Sequence, residues 1–422
     1  MNIGIIGGGI TGLTAAYKLS RKGYPVVLFE GESSLGGSAR TFSTNKYPLE
    51  CFYHHIFSDD HAIISLIKDL GLSDNLITVA PRTGLYYQDN LYPFTSPLDI
   101  LRFSSLDIFS RARLGLVSAY LKYLSPWETL QDIGALEWCR QYFGQSVTKI
   151  VWEPLLSSKF GKYADQIIMS WLWARLKKRS FNLVYIKGSL KVLFDKLEER
   201  IRRQGGQVRL GTRVERVTRE NRYLKVHGDF GEECFDRIIS TIAPPILAKI
   251  VDFEDNEYQW RLTGVKYLSA STLVVKTKEM LTDYYWININ DTSFPFLAMV
   301  EQGNLISPAY YGGYNYLYFG NYWPSDDLRF SWSAQETFKK YLPYIRKIRP
   351  DLKESLVEDV YKFDAPYAQP VVDRGYKDRL PGLITPWTGL AAGSIANIYP
   401  WDRGINYSVT LADDLINALG VL

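Results

Sequence analysis

Three glycines near the start of the chain have the spacing of a nucleotide-binding turn. Gly7, Gly9 and Gly12 form a GxGxxG pattern, and Glu30 follows 18 residues after the last of them. The first glycine permits a tight turn, the second lets the backbone approach a pyrophosphate, and the third allows a helix to pack closely on a strand. An acid at that distance is placed to accept hydrogen bonds from ribose hydroxyls. The pattern predicts a dinucleotide site, and a glycine-rich packing turn without a ligand is the alternative.

The elements around this turn are those that the chemistry requires. Ile3 to Ile6 reads as a short buried strand, and apolar residues recur at helical spacing from Ile10 until Gly23, where a helix should stop. Val26 to Phe29 then predicts a second strand. The start of the helix, at Ile10 and Thr11, offers unpaired N–H groups to phosphates.

A second glycine pair makes the type of nucleotide more specific. Leu35 to Thr41 reads LGGSART. This run resembles the second glycine pair and Arg-Thr of the FAD-binding group with glutathione-reductase-like topology, in the branch that holds amine oxidases, protoporphyrinogen oxidase and phytoene desaturases. The resemblance implies an FAD cofactor, with Gly36, Gly37, Arg40 and Thr41 along the flavin diphosphate and ribityl chain. Arg40 also suits a phosphate through its forked donors, and a solvated surface arginine is the alternative.

Two later segments are similar to other parts of that family. Val214 follows a Gly-Gly and a strand, an arrangement whose backbone contacts adenine in the family. Gly389 to Ser394 resembles the closing strand, but Ser394 stands where the family usually has an acid, which leaves the pocket less negative. Gly404 to Asn406 precedes a helix whose N terminus would stabilise negative charge on a reduced flavin. The predicted cofactor-binding residues are Gly7, Gly9, Ile10, Thr11, Gly12, Glu30, Gly36, Gly37, Arg40, Thr41, Val214, Ser394, Gly404, Ile405 and Asn406.

Two adjacent histidines are the candidate catalytic residues. His54 and His55 are two of the four histidines in the chain. The resemblance places their segment beside the flavin ring, where an imidazole could hydrogen-bond the ring or move a proton near neutral pH. A buried histidine satisfied by the backbone is the alternative for each. His55 to Phe57 is also similar to a His-Ile-Phe that lies beside the flavin in UDP-galactopyranose mutases.

The composition is that of an ordinary folded protein. The 422 residues are 46% hydrophobic and 22% charged, and the net charge of +4 is too small to indicate nucleic acid binding. The three cysteines lie far apart without a CxxC or a zinc-like histidine spacing, so we expect no metal and a reducing compartment. No secretory signal precedes the first strand and no apolar run is long enough to span a membrane. We therefore expect a cytoplasmic chain.

A mixed aromatic and basic segment bears on membrane association. It contains Trp171, Trp173 and the basic residues from Arg175 to Arg179. Tryptophan favours the membrane interface and cations favour anionic lipid, so peripheral membrane contact is one interpretation. The preferred interpretation is a helix face exposed to solvent.

The resemblance and the order of the predicted elements imply an α/β fold in two interleaved parts. One is a Rossmann-like FAD-binding domain with a parallel sheet in three layers, and the other is an α+β substrate-binding domain. The FAD-binding domain is expected at 1–75, 185–250 and 370–422, and the substrate-binding domain at 76–184 and 251–369, with a helical subdomain at about 96–147.

The resemblance implies an FAD-dependent oxidoreductase that removes hydride from a small, lipophilic or polycyclic substrate, in the manner of a desaturase or oxidase. The aromatic share of 14% fits such a substrate, whereas the electron acceptor and the oligomeric state are not specified by the sequence. The alternative is a redox-neutral flavoenzyme similar to UDP-galactopyranose mutase, which would need two or more arginines converging on the diphosphate of a sugar nucleotide. A non-catalytic binding protein would typically have lost the glycines and Glu30, and all are present.

Overall fold

Residues 1–44 and 47–421 are described by a computed structural model. The predicted FAD-binding ranges also include residues 45, 46 and 422, which lie outside the described residues. The strands are β1 Ile3–Ile6, β2 Val26–Phe29, β3 Thr41–Thr44, β4 Tyr47–Glu50, β5 Ile56–Phe57, β6 Leu76–Val79, β7 Thr83–Tyr87, β8 Asn90–Pro93, β9 Leu183–Ile186, β10 Gln207–Arg209, β11 Arg216–Glu220, β12 Tyr223–Gly228, β13 Gly231–Phe235, β14 Arg237–Ser240, β15 Tyr267–Thr277, β16 Trp286–Ile289, β17 Ala298–Glu301, β18 Asn315–Trp323, β19 Val357–Pro370 and β20 Leu390–Ala392. The α-helices are α1 Ile10–Arg21, α2 His61–Asp69, α3 Pro97–Arg102, α4 Ile108–Tyr123, α5 Ala135–Tyr142, α6 Gln145–Val147, α7 Glu153–Phe160, α8 Met169–Lys178, α9 Ser189–Arg203, α10 Pro244–Ile250, α11 Asn256–Gly264, α12 Ala334–Ile348, α13 Tyr376–Arg379 and α14 Ile405–Ala418.

A parallel sheet of five strands carries the glycine-rich turn. Its order is β10-β2-β1-β14-β20, and every neighbouring pair is parallel. All four residues of β1 are buried, as expected for a central strand that is covered on both faces. Parallel neighbours need a crossover connection, so strands from three separate parts of the chain meet in this sheet.

Different layers cover the two faces of this sheet. Helices α1, α9 and α14 pack on one face through Leu13, Leu193 and Leu415. The antiparallel strands β11, β12 and β13 and helix α10 pack on the other face through Val226 and Leu247. Alternate residues of the central strands enter the two cores, as the period of a strand requires. The prediction of a Rossmann-like, three-layer arrangement is confirmed.

A mixed sheet of seven strands forms the second half of the fold. Its order is β19-β15-β18-β17-β16-β7-β8, and β16 with β7 is its one parallel pair. Helix α12 packs on one face through Phe338 and Tyr341. Leu49 of β4 packs on the opposite face with Val274. The sheet therefore faces the segment that carries the two candidate histidines.

Helices occupy most of the chain from α3 to α8. Helical structure continues beyond the helical subdomain predicted at about 96–147, as far as Lys178. Residues Met169–Ala174 of α8 are all buried. A helix segment buried all round lacks the one-sided apolar period of a surface helix, so its sequence gives little helical signal.

Trp171 and Trp173 lie inside this helical core. Both side chains are buried, and their indole N–H groups donate to the carboxylate of Asp402 at 3.1 Å and to the carbonyl of Ser125 at 3.1 Å. The preferred interpretation of a solvated face is wrong for these two residues, and their burial also removes them from any membrane interface. Within the described ranges, helices that combine the length and apolarity needed to cross a membrane are absent.

Candidate functional site

The glycine-rich turn has the geometry that its sequence predicts. Gly7 has φ +107°, a conformation that favours glycine, and a Cβ there would lie 2.6 Å from the hydroxyl oxygen of Thr241. A Cβ on Gly12 would overlap the carbonyl oxygen of Gly7. Helix α1 can therefore pack this closely on β1 only because these positions lack side chains.

The N terminus of α1 is open on the side of the turn. Gly9 is the N-cap residue, no side chain caps the helix, and its first turn has no acidic residue. A Cβ on Gly9 would meet only the Cα of Gly37, at 4.0 Å. The first-turn N–H groups of α1, which include those of Ile10 and Thr11, have no intrahelical partner. An anion such as a diphosphate fits this cradle, since it would meet N–H donors where Gly9 leaves space.

The second glycine pair lies directly against the first turn. The N–H of Gly36 donates to the carbonyl of Gly8 at 2.9 Å, and a Cβ on Gly37 would lie 3.2 Å from the Cα of Gly9. Gly36 has φ +113° and Gly37 has φ +56°, so both positions favour glycine. The structure thus brings together two motifs that the sequence identified separately.

Glu30 is fixed at the end of β2, beside the same turn. One carboxylate oxygen accepts the N–H of Gly8 at 2.7 Å, and the other accepts the N–H of Glu32 at 2.9 Å. A carboxylate can accept about four hydrogen bonds, so it retains capacity for hydroxyl groups. The N–H of Thr212 donates to the carbonyl of Glu30 at 2.8 Å. This bond places Val214, which is buried, near the end of β2.

Arg40 is held between the two sheets. Its guanidinium donates to the carbonyl of Asp364 at 2.8 Å and to that of Gly37 at 3.4 Å, and it lies over the ring of Phe52 at 5.2 Å. The side chain is half-buried, so it differs from the solvated arginine of the alternative interpretation. A guanidinium has five N–H donors, and these two bonds leave donors for a ligand. Thr41 begins β3 directly after it.

Ser394 is buried at the end of β20 and caps the turn that follows. Its hydroxyl accepts the N–H of Ala396 at 3.2 Å, and its own N–H donates to the side-chain oxygen of Asn397 at 3.0 Å. The N–H of Gly393 donates to the carbonyl of Ser240 at 3.0 Å. These bonds hold Ser394 at the carboxyl edge of the parallel sheet, next to β14.

Asn406 joins the start of α14 to the start of α2. Its side-chain oxygen accepts the N–H groups of Ala62 at 2.9 Å and Ile63 at 3.2 Å. These bonds use the side chain for structure, and no local pattern in the sequence predicts them. Gly404 is the N-cap residue of α14 and no side chain caps this helix. The backbone N–H groups of its first turn, which begins at Ile405, are thus the part of the segment free to meet a ligand.

The two candidate histidines are half-buried and differ in their partners. His54 Nδ1 lies 2.7 Å from the carbonyl of Phe52, and His55 Nδ1 lies 3.1 Å from the hydroxyl of Tyr285. A carbonyl only accepts, so the His54 ring carries its proton on Nδ1 and leaves Nε2 as an acceptor. Desolvation lowers the pKa of both imidazoles to about 4. They are neutral at pH 7, which favours hydrogen bonding over the proton movement near neutral pH that their sequence position predicts.

A group of charged residues that the sequence did not identify lies next to the start of α14. We call Asp402, Lys159, Arg175 and Arg403 the Asp402 cluster. One oxygen of Asp402 lies 2.9 Å from Arg175 Nη1 and 3.7 Å from Lys159 Nζ. Arg403 donates to the carbonyl of Ala368 at 3.0 Å and to a tyrosine hydroxyl on β18. Arg175 and Lys159 therefore lie against one carboxylate, and the charge of Arg403 also acts on it.

Burial and neighbouring charges shift the pKa values of this cluster in opposite directions. Burial alone would raise the pKa of Asp402, but Lys159, Arg175 and Arg403 hold it well below its usual value. Burial lowers the pKa of Lys159 well below its usual value, and Asp402 opposes this change. The ammonium of Lys159 also lies 4.9 Å from the ring of Trp171. The carboxylate is thus ionised, and the charges of Arg175 and Arg403 alone exceed it.

The same cations act on the candidate histidines. After desolvation and His54, the charges of Arg175 and Arg179 lower the pKa of His55. Arg403 has this effect on His54. The members of the cluster lie on α7, α8 and the segment before α14, so no local spacing connects them. Two sequence signals touched the cluster. Arg175 lies in the basic segment for which a solvated face is predicted, and Asp402 and Arg403 adjoin a predicted cofactor segment.

Comparisons with known proteins agree with this arrangement. Coproporphyrinogen III oxidase of Staphylococcus aureus is 24% identical over 281 residues, which are 57% of this chain and 60% of that protein. Protoporphyrinogen oxidase 2 of Arabidopsis thaliana is 24% identical over 200 residues, which are 46% of this chain and 39% of that protein. These matches span less than two thirds of the lengths of both relatives.

The fold is shared with a solved structure. The structure of reduced UDP-galactopyranose mutase matches with a TM-score of 0.78 and 14% identity, covering 100% of this chain and 94% of that chain. At this identity the likeness concerns the fold alone. The sequence model of the family described as flavin containing amine oxidoreductase matches residues 10–393. This match confirms the resemblance to amine oxidases and the expectation of a flavin cofactor, and the chain belongs to the flavin containing amine oxidoreductase family.

Proposed function

We propose that the chain is an FAD-dependent oxidoreductase that removes hydride from a small, lipophilic or polycyclic substrate. The observation that carries this proposal is the pairing of the two glycine motifs around the uncapped N terminus of α1. Membership of a flavin-containing family supports FAD as the ligand of that cradle. When bound, the flavin supplies the two-electron acceptor for the reaction.

The residues of the cradle have distinct proposed roles. The N–H groups of Ile10, Thr11 and Gly12 hold the diphosphate, and the forked donors of Arg40 supplement them. Glu30 accepts the ribose hydroxyls, which its position at the end of β2 supports. The remaining roles are backbone contacts at Gly7, Gly9, Gly36, Gly37, Thr41, Val214, Ser394, Gly404, Ile405 and Asn406.

The histidine segment is the proposed place of substrate contact. Tyr53, His54 and His55 are each half-buried, and the ring of Tyr53 lies 4.9 Å from that of Trp286. Aromatic walls suit a flat or apolar substrate and exclude water. The low pKa of both histidines makes them neutral hydrogen-bonding groups in this role.

A second candidate function is a redox-neutral conversion of a sugar nucleotide. It requires arginines that converge on a diphosphate. Arg175 and Arg403 belong to the Asp402 cluster, and both act on the histidine segment. The convergence of these two arginines favours the sugar-nucleotide reaction. The aromatic residues around the histidine segment favour the hydride-removing oxidoreductase.

The first experiment establishes the cofactor. Purified protein should carry FAD, seen in its visible absorbance. We expect Glu30→Gln to lower FAD retention, while Glu32→Gln, which changes an exposed acid two residues away, should leave it unchanged. A colourless protein after reconstitution with FAD, or equal retention by the two variants, would contradict the proposed cradle.

The second experiment separates the two functions. Without oxygen, a lipophilic substrate of the oxidoreductase should bleach the flavin absorbance on mixing. A substrate of the alternative should leave the oxidised flavin unchanged, and a UDP-sugar should turn over only after reduction with dithionite. Turnover of the UDP-sugar together with no bleaching by any lipophilic compound would overturn the first candidate.

We propose the predicted division into domains and a cytoplasmic location as working assignments. All strands of the parallel sheet fall within 1–75, 185–250 and 370–422, which supports the division. The cysteines Cys51, Cys139 and Cys234 are free thiols, which suits a reducing compartment. Limited proteolysis that releases 76–184 while FAD stays bound would test the first assignment.

A further inference from the structure

Helix α4 exposes an apolar stripe along its outer face. The stripe consists of Phe109, Ala112, Leu116, Ala119, Tyr120 and Tyr123, all of which are exposed. Phe109 is 82% exposed and Leu116 is 73% exposed. Successive members are separated by three or four positions, or by one between Ala119 and Tyr120, so they lie on one side of the helix. Arg113 is the charged residue within this stripe.

The stripe is not explained by packing within the protein. The opposite side of α4 carries Leu114 and Leu121, which are buried in the helical core. A surface helix normally has one apolar side and one polar side. Here the helix is apolar on both sides, and only one side has a partner among the described residues.

Neighbouring residues extend the same surface. Of the 17 large hydrophobic residues exposed in the described part of the chain, eight lie between positions 98 and 124. Leu98 and Leu101 of α3 are among them, and Leu101 adjoins α4 because its carbonyl accepts Arg111 Nη1 at 2.9 Å. Exposed Phe181 adjoins the other end, 5.9 Å from Lys122 Nζ. A contiguous apolar surface of this kind marks a site of association.

The charged residues around this surface are mainly cationic. Arg102, Arg113 and Lys122 are on α3 and α4. The carboxylates of Asp99 and Asp107 both accept backbone N–H groups at helix N termini. Helices α3 and α4 carry four cationic side chains against these two carboxylates, so the rim of the surface has a net positive charge.

We propose that α3 and α4 dock this protein on an anionic lipid bilayer. The stripe of α4 lies in the plane of the interface for about 21 Å, with its apolar side chains among the acyl chains. The rim cations meet lipid phosphates, and Tyr120 and Tyr123 lie at the headgroup level that tyrosine favours. A second copy of the chain is a poorer occupant, because a symmetric contact would bring the cationic rims together.

Membrane docking is separate from the proposed reaction. Its test therefore measures binding to vesicles and needs no enzyme turnover. The FAD-loaded protein is mixed with vesicles of phosphatidylcholine containing phosphatidylglycerol, and with vesicles of phosphatidylcholine alone, and binding is measured by flotation. We expect binding to the anionic vesicles. Phe109→Ser and Leu116→Ser, measured separately, should each weaken it at least tenfold, since each removes one fully inserted side chain. Arg102→Gln should weaken binding to the anionic vesicles by about fivefold.

A matched control uses an apolar residue that is equally exposed elsewhere. Leu328 is 82% exposed and lies outside the surface, so Leu328→Ser should bind vesicles as the unchanged protein does. The proposal is overturned if the unchanged protein binds neither type of vesicle, or if Phe109→Ser and Leu116→Ser bind as it does. It is also overturned if light scattering after gel filtration shows a dimer that these two substitutions dissociate, because the occupant is then a second copy.

Discussion

Replacing Asp402 by asparagine tests the charge arrangement of the site most directly. Asp402→Asn keeps the shape of the side chain and its acceptor for the indole of Trp171, but it removes the charge that compensates Lys159 and Arg175. The side chains of Lys159 and Asp402 are 4% and 14% exposed, so water replaces little of the lost interaction. Breaking a buried ion pair in this way costs about 3–5 kcal/mol. In a chain of 422 residues that lowers Tm by about 3–6 °C.

Two further variants show whether the stability lost in Asp402→Asn comes from the charges. Lys159→Met removes the buried amine and fills a similar volume, and the carboxylate of Asp402 stays paired with Arg175 at 2.9 Å. Because no charge is left uncompensated, the free energy of unfolding should change by only about 1 kcal/mol. In the double variant Asp402→Asn/Lys159→Met, part of the free energy of unfolding that Asp402→Asn loses should be recovered. We expect a coupling free energy of about 1–3 kcal/mol between the two substitutions. Asp195→Asn is the matched control, because its carboxylate pairs with Lys191 at 2.6 Å on an exposed helix surface. It should cost less than about 0.5 kcal/mol.

The assay is urea unfolding of the FAD-loaded variants, followed by fluorescence at low and high salt. Salt should reduce the effect of Asp195→Asn and leave that of Asp402→Asn nearly unchanged, since buried charges are poorly screened. The reasoning is refuted if Asp402→Asn unfolds within about 1 kcal/mol of the unchanged protein, or if Lys159→Met gives no recovery in the double variant.

Three further expectations follow from the geometry and the pKa values. The pKa of His54 and His55 is about 4 in the folded protein and 6.5 in the unfolded chain. The contribution of the two rings to stability is therefore complete above pH 6.5 and is lost as the pH falls toward 4. Urea unfolding at a series of pH values should show stability falling in this window, by up to about 3 kcal/mol for each ring, and less steeply in His54→Gln. Gly12→Ala should abolish FAD retention, measured as flavin absorbance per protein, because the added Cβ overlaps a carbonyl of the turn. Cys234 is exposed while burial raises the pKa of Cys51 to about 11, so a thiol reagent should modify Cys234 first and the other thiols only after unfolding.

The nucleotide cradle was predictable because its requirements are local. The spacing of Gly7, Gly9 and Gly12 specifies a turn whose geometry depends on a few neighbouring residues, and the structure has that turn. The family resemblance added the second motif, and the contact between Gly36 and Gly8 accounts for why both motifs occur in one chain. The strands and helices around them also carried clear periodic signals.

The rest of the site depends on contacts between distant parts of the chain. Lys159, Arg175 and Asp402 are far apart in sequence, and none of them lies in a motif. Trp171 was interpreted as a surface residue because of its basic neighbours, although its side chain lies in the core and binds Asp402. A single sequence shows which residues are charged, but it does not show which helix side faces the interior when the helix is buried all round.

The charge balance of the site bears on the choice between substrates. The N terminus of α1 presents positive potential at one end. At the other end, Arg175 and Arg403 exceed the single carboxylate of Asp402, and Arg179 adds to them near His55. A protonated amine would meet like charges in that region, and the histidines there are neutral and cannot compensate them. The electrostatics of this member therefore favour a neutral or anionic substrate, even though the family is described by its action on amines.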